Sequence, residues 1–448
     1  MNNFQCLLSS FLIHLCFVQK EGTLVYLKKT TIMKQFLSVL SICLFANFNQ
    51  AISQEKPDPH VILISLDGFR YDYVQRFQPE NLQEFIAGGV SANSLIPSFP
   101  TMTFPNHYTI ATGLRPEHHG IVDNSFYDPI KNDIYRINRR DLVIDGSWYG
   151  GTPLWVLAEK NGMKTASYFF VGSEADVQGV RPSYYYDYDG KVNNLTRVSK
   201  VFEWLQMPDS VRPRMITMYF SDMDDVGHSY GAINDSQLST RLAQLDRELG
   251  ALFEGVKSLD QEVNIIVVSD HGMADVPLGN YIALDGITEQ ISGRVVNSGA
   301  LAHLYLEDPK DKRKVIEQIN ENAVGFTVFD PSDKKYYRDL SAYGDRIGDV
   351  IVLADLGYYF IENEEYREVI ARRMRMDETS VKGTHGYSQE YPEMHGIFYA
   401  QGPQLKSGLT IESFDNIHVF PLICKILGLP IPDDIDGKLE VLESILKD

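Results

Sequence analysis

Four nearly continuous apolar runs constrain the fold of this chain more than any other feature. They are His60–Leu66, Met215–Phe220, Val263–Val268 and residues 397–400. None alternates polar with apolar residues. Such runs read as strands buried on both faces, the pattern of a parallel sheet covered by helices. Between the second and third runs, Leu242, Leu245, Leu249, Leu252, Phe253 and Val256 recur at helical spacing. Strand, helix and strand in that order imply a right-handed crossover. The expected class is therefore α/β with a mainly parallel central sheet. Residues 131–188, rich in Tyr, Gly and Asp, read as loops and short elements. Residues 299–354 read as a small α+β insertion, with strands at 301–306 and 347–353 around a helix at 312–322.

The residues that follow these runs carry the chemistry. Asp67-Gly68 follows the first, Ser221-Asp222-Met223-Asp224 the second and Ser269-Asp270-His271-Gly272 the third. Open α/β sheets bind ligands beyond the carboxyl ends of their strands. Asp67, Asp224, His228, Asp270 and His271 are therefore expected at one sheet edge, joined by His385 from Gly383-Thr384-His385-Gly386. Each alone has an ordinary explanation as a turn or solvated-loop residue; the set does not. Thr103 stands before Phe104-Pro105 and an amphipathic run. Pro is tolerated in the first helical turn, so Thr103 lies at or just before a helix N-terminus, where anions are favoured. Capping is the simpler role for its hydroxyl and is compatible with a chemical one. His and carboxylate ligands without thiolates suit zinc, and six of them plus a hydroxyl are too many for one tetrahedral ion. They suit two ions sharing a substrate, as in phosphoryl transfer or hydrolysis of a related ester.

Composition narrows the partners. A formal charge of −19 excludes a basic groove for nucleic acid and leaves a small-molecule substrate drawn in by local charge. Met33-Lys34, an apolar stretch at 36–46 and Ala51-Ile52-Ser53 have the parts of a secretory signal peptide. Residues 1–53 are thus read as a targeting segment with Met33 as the natural start, and 54–448 as one catalytic domain, exported to the periplasm or outside the cell. The apolar stretch is too short for a stable membrane span. Three of the four cysteines fall in that segment. Cys424 remains alone, so neither a disulfide framework nor a thiolate metal site is expected. Asn194-Leu195-Thr196 matches an N-glycosylation sequon.

Several blocks together resemble the ectonucleotide pyrophosphatase/phosphodiesterase family of the alkaline phosphatase superfamily. They are Asp67-Gly68-Phe69-Arg70, residues 100–108 around Thr103, Thr112-Gly113-Leu114-Arg115-Pro116, His119-Gly120-Ile121-Val122-Asp123-Asn124, Asp224 with Gly227-His228, Ser269-Asp270-His271-Gly272-Met273, Arg346-Ile347-Gly348-Asp349 and residues 382–387. The resemblance implies a three-layer alkaline-phosphatase-like sandwich and two zinc ions per chain. It makes Thr103 the nucleophile and a ligand, with Asp67, Asp270 and His271, of the nucleophile-side zinc. Asp224, His228 and His385 resemble the ligands of the second. Asn124 resembles the side-chain donor that binds a phosphoryl oxygen together with the backbone N–H near Thr103. Phe104 and Tyr219 resemble the aromatic pair that sandwiches a nucleotide base. The implied activity is hydrolysis of nucleotide phosphodiester or pyrophosphate bonds to nucleoside 5′-monophosphates. Choline or lipid-headgroup diesters are the nearest alternative. A phosphomonoesterase is less favoured because no added cation is evident, and intact Thr103 argues against a catalytically dead binding protein. The chain departs from the family at Ser221-Asp222-Met223 and at Ser388-Gln389, changes that spare every ligand position.

Overall fold

The computed structural model describes residues 58–289, 291–321, 323–374 and 380–447. The targeting segment and Met33 lie outside the described residues. In chain order, the strands and helices that matter here are β1 (His60–Leu66), β2 (Val90–Ala92), α1 (Thr103–Thr112), β3 (Thr165–Tyr168), β4 (Tyr184–Tyr186), β5 (Met215–Phe220), α2 (Asp222–Tyr230), α3 (Asp235–Lys257) and β6 (Val263–Val268). They continue with β7 (Gly293–Asn297), β8 (Leu301–Leu306), β9 (Phe326–Phe329), β10 (Val350–Ala354), β11 (Phe398–Gln401) and β12 (Leu409–Ile411).

The central sheet runs β12-β2-β11-β6-β1-β5-β3-β4. Its pairings are parallel except at β11, which is antiparallel to both β6 and β2. All seven residues of β1 are buried. Its side chains alternate between two cores: Val61 and Leu63 pack with α1 and the helix Val419–Leu427, whereas Ile62, Ile64 and Leu66 pack with α3 and the helix Asn194–Leu205. Helical layers on both faces explain why the run is apolar throughout, each such side chain contributing roughly 1.5–3 kcal/mol on burial. The structure is the expected α/β three-layer sandwich.

Three local readings differ from the structure. Residues 131–188 contribute two sheet strands, β3 and β4, and the helix Leu154–Lys160. The Thr-Ala-Ser-Tyr sequence of β3 carries no apolar signal because its hydroxyls bond inside the sheet layer, Ser167 to Ser173 at 2.7 Å and Thr217 to Ser167 at 2.9 Å. Helix α1 is not amphipathic: residues 105–112 are all buried, with the sheet on one side and Val419–Leu427 packed against it. Its polar residues find partners instead, as Thr109 does with His119 at 3.0 Å. The second sheet, β7-β8-β10-β9, begins at Gly293 rather than 299 and includes Phe326–Phe329. The sequon is closed, because Asn194 is buried and its amide donates to Asp222 and Glu248.

Arg346 ties the second sheet's segment to the main body. It is buried, pairs with Asp128 at 2.9 Å and donates to the carbonyls of Gly120 and Trp148 at 2.7 Å. Arg346→Ala leaves Asp128 buried without a counter-charge. The expected loss is about 3–5 kcal/mol of stability, read as a lower midpoint in urea unfolding.

Candidate active site

The site forms where β1, β5 and β6 end. Gly68 has φ +63°, and a Cβ there would lie 2.8 Å from Cα of Asp224. Only glycine lets the β1 turn press this close to α2. The Asp224 N–H donates to the Asp67 carbonyl at 3.1 Å, and the Gly68 N–H donates to Oδ1 of Asp270 at 3.2 Å. These two bonds staple the ends of three strands together. Asp224 and His228 lie on α2, not in a loop, and their i,i+4 spacing puts them on one face, with Nε2 of His228 3.3 Å from Oδ1 of Asp224.

Thr103 is the first residue of α1. Met102 takes the N-cap position and no side chain caps the helix, so the hydroxyl of Thr103 is not spent on capping. Its Oγ1 lies 3.2 Å from Nε2 of His271. Nε2 of His271 is also 3.1 Å from Oδ2 of Asp270 and 3.4 Å from Oδ1 of Asp67, and Nε2 of His385 is 3.8 Å from Oδ1 of Asp224.

The protonation pattern follows from the hydrogen bonds. Nδ1 of His228, His271 and His385 each faces a backbone carbonyl, of Gly383, Gly272 and Thr101, at 2.8–3.0 Å. A carbonyl only accepts, so each Nδ1 carries the proton and Nε2 is turned inward. Burial takes the His385 imidazole down to about 4 and, with His385 beside it, holds His271 well below its usual value. Both are neutral, with lone pairs on Nε2. Burial also lowers His228, but the Asp224 carboxylate outweighs it and raises that group to about 9. Burial, reinforced by Asp270 and Asp224, pushes the Asp67 carboxyl up, and burial with Asp224 does the same to Asp270. Asp224 goes the other way: burial is outweighed by the charge and hydrogen bond of His228, which hold its carboxyl below the usual range.

Oδ1 of Asp67, Oδ1 of Asp224 and Oδ2 of Asp270 are buried without a hydrogen-bond partner. Oδ1 of Asp224 has the His228 imidazole 3.3 Å away, but carboxylate oxygens crowded together in a low-dielectric pocket remain costly unless a cation lies among them. These residues therefore fit divalent metal. Ligand atoms of Asp224, His271 and His385 lie within 4.8 Å of one another, as do those of Asp67, His107 and Asp270. His107 is nevertheless no ligand. Its Nδ1 donates to the Thr103 carbonyl at 2.8 Å, with Oδ2 of Asp270 3.2 Å away, and its Nε2 meets the Ser65 hydroxyl at 2.8 Å, which leaves no nitrogen free. His271 stands between the two groups.

Beside Thr103 opens a cavity of about 300 Å³ lined by Phe104, Ile137, Arg140, Phe169, Glu174 and Tyr188, with Asp67 and Asp224 at its base. Two of the expected residues meet specific geometry here. Tyr219 reaches this cavity but is only 8% exposed, its ring edge-on to His107 and Tyr188 and its hydroxyl on Oδ2 of Asp67 at 2.5 Å. Tyr188, 48% exposed, is the more open ring. Its backbone N–H is held by Glu174, whose other oxygen pairs with Arg140. Tyr188 lies in a loop whose only sequence signal was a run of tyrosines, and periodicity could not single it out. The second is Asn124. Its Oδ1 accepts the Phe104 N–H at 2.9 Å, and its amide group, which reaches only the Met102 sulfur at 3.9 Å, is the remaining donor. Ser388 and Gln389 lie behind the site, where the Gln389 carbonyl meets Nε2 of His395 at 3.0 Å.

A family model for type I phosphodiesterase / nucleotide pyrophosphatase matches residues 61–388. The mouse ectonucleotide pyrophosphatase/phosphodiesterase family member 1 is 32% identical over 407 residues, covering 88% of this chain and 43% of that protein. An uncharacterised pyrophosphatase/phosphodiesterase of Schizosaccharomyces pombe is 32% identical over 385 residues, covering 83% and 77%. The chain thus spans less than half the length of the mammalian relatives it matches. Murine ectonucleotide pyrophosphatase/phosphodiesterase 5 superposes with a TM-score of 0.76 at 27% identity, over 87% of this chain and all of that one. An inactive threonine-to-alanine form of the same murine protein, in complex with AMP, matches with a TM-score of 0.76 at 28% identity.

Proposed function

Since the chain belongs to the type I phosphodiesterase / nucleotide pyrophosphatase family, we propose that it is an exported two-zinc hydrolase of nucleotide phosphodiester and pyrophosphate bonds that releases nucleoside 5′-monophosphates through a covalent intermediate on Thr103. One observation carries the reading: three partnerless buried carboxylate oxygens and the inward Nε2 atoms of three histidines gather at the strand ends, with His271 3.2 Å from the Thr103 hydroxyl, beside an aromatic cavity. Asp67, Thr103, Asp270 and His271 would hold one zinc ion and Asp224, His228 and His385 the other. Two such ions supply Lewis-acid stabilisation of charge on the attacking and leaving oxygens.

The chain's own groups do the rest. Oγ1 of Thr103 attacks phosphorus, the bond from phosphorus to the leaving oxygen breaks, and the nucleotidyl group stays on threonine. Water then attacks the same phosphorus and returns Thr103 to its hydroxyl form. The N-terminus of α1 faces the charge that develops, and the Asn124 amide donates to a phosphoryl oxygen. Phe104 and Tyr188 hold the base. An AMP complex of the murine relative supports a nucleotide as occupant. A choline headgroup is the second reading: the aromatic lining of Phe104, Phe169 and Tyr188 suits a quaternary ammonium, but Glu174, paired with Arg140, offers it no free carboxylate. Among the described residues no helix is long and apolar enough to cross a membrane.

Two in-line displacements at phosphorus give net retention of configuration. Hydrolysis of a chiral nucleoside phosphorothioate diester in ¹⁸O-water, with the product configuration read by ³¹P NMR, tests this. Retention is expected; inversion would remove the threonine intermediate.

Tyr188→Ala should raise KM for a nucleotide diester about 10-fold with kcat little changed, since base–aromatic stacking contributes about 1–3 kcal/mol. An unchanged KM would take the base away from this cavity.

A further inference from the structure

Tyr219 is held in a way that bears on Asp67. It sits on β5 directly beside Ser65 of β1, next to the end of the strand that delivers Asp67. Its backbone is pinned from behind, because the buried Arg197 donates to the Tyr219 carbonyl at 2.7 Å. Its ring is buried between His107 and Tyr188. From that fixed base its hydroxyl donates to Oδ2 of Asp67 at 2.5 Å, the short end of the range for a hydroxyl on a carboxylate. The consequence falls on the other oxygen. With Oδ2 taken, Asp67 has Oδ1 alone left to offer, and Oδ1 is the partnerless atom 3.4 Å from Nε2 of His271.

We infer that Tyr219 is a positioning residue for Asp67: its hydroxyl occupies Oδ2 and fixes the carboxylate so that Oδ1 alone is presented to the cation on the Thr103 side. This rests on the proposed role of Asp67 as a metal ligand. The structure assigns the phenol, not the aromatic face, as the part of Tyr219 that matters. Partners that orient metal ligands in this way typically change metal affinity or activity by 10–100-fold when removed.

Tyr219→Phe separates the two roles, because it keeps the ring and removes the donor. Metal-free wild-type and Y219F proteins are titrated with Zn²⁺ against a chromogenic chelator, and their kinetics are measured at matched free zinc. One zinc equivalent should weaken by about 10–100-fold in Y219F, the other should hold, and KM for a nucleotide diester should stay within about two-fold while kcat falls. Zinc affinities equal to wild type at both sites would overturn the inference, as would a 10-fold rise in KM with unchanged zinc binding. If Y219F does not fold, p-aminophenylalanine at position 219, which keeps a ring-borne donor, decides instead. Zinc affinity within about three-fold of wild type is expected, and loss of one equivalent overturns. A wild-type chain that takes up no zinc would remove the proposed function itself. A wild type that binds two ions beside a Y219F that binds both equally removes only the role of Tyr219.

Discussion

Thr103→Ala abolishes turnover of nucleotide diesters, lowering kcat by on the order of 10⁴-fold or more, the scale seen when a covalent nucleophile is deleted. The fold should survive. Met102 is the N-cap of α1, and the Thr103 side chain caps nothing, so its removal costs no capping bond. Alanine also has the highest intrinsic helix propensity. The variant should still bind nucleoside monophosphate, because Asn124, Phe104 and Tyr188 remain. Isothermal titration with AMP beside a rate assay reads both quantities. Retained turnover would mean that water, and not threonine, attacks phosphorus.

Removal of metal has the other large effect. Without cations, Asp67, Asp224 and Asp270 each keep a buried oxygen with no partner. Chelation should therefore do two things at once. Activity should fall by more than about 10³-fold, since charge on the attacking and leaving oxygens loses its stabilisation. The melting temperature should fall by about 5 °C or more, because an ion present at 1,000 times its Kd stabilises the fold by about 4 kcal/mol. Differential scanning fluorimetry with and without a zinc chelator, followed by re-addition of zinc, measures both losses and their reversal. A melting temperature indifferent to chelation would mean that the carboxylates are satisfied in some other way.

The sheet and most of the site were legible because one physical rule connects them. Strands buried on both faces must be apolar throughout, and the chain must turn polar where they end. Asp67 is the first residue past such an end, Asp270 is the second, after Ser269, and Asp224 follows within one helical turn. Other features had no such signal. Strand β3 hides among hydroxyl residues that bond inside the sheet layer, and α1 takes a second packed face only when the C-terminal helix closes over it. Tyr188 and Tyr219 were indistinguishable as letters. What separates them is exposure and one hydrogen bond to Asp67, which depend on how β5 sits beside β1 and where the loop after β4 returns. Asn194 shows the reverse: a sequon complete in sequence is closed by Asp222 and Glu248, which come from distant positions.

The central claim is a two-metal threonine site fitted to nucleotide diesters. Its most direct test is the ratio of kcat/KM for the p-nitrophenyl ester of thymidine 5′-monophosphate to those for p-nitrophenyl phosphocholine and p-nitrophenyl phosphate, on protein of known zinc content. A preference for the nucleotide diester of about 10²-fold or more is predicted, from stacking on Phe104 and Tyr188 at about 1–3 kcal/mol each. Preference for phosphocholine or for the monoester would contradict it.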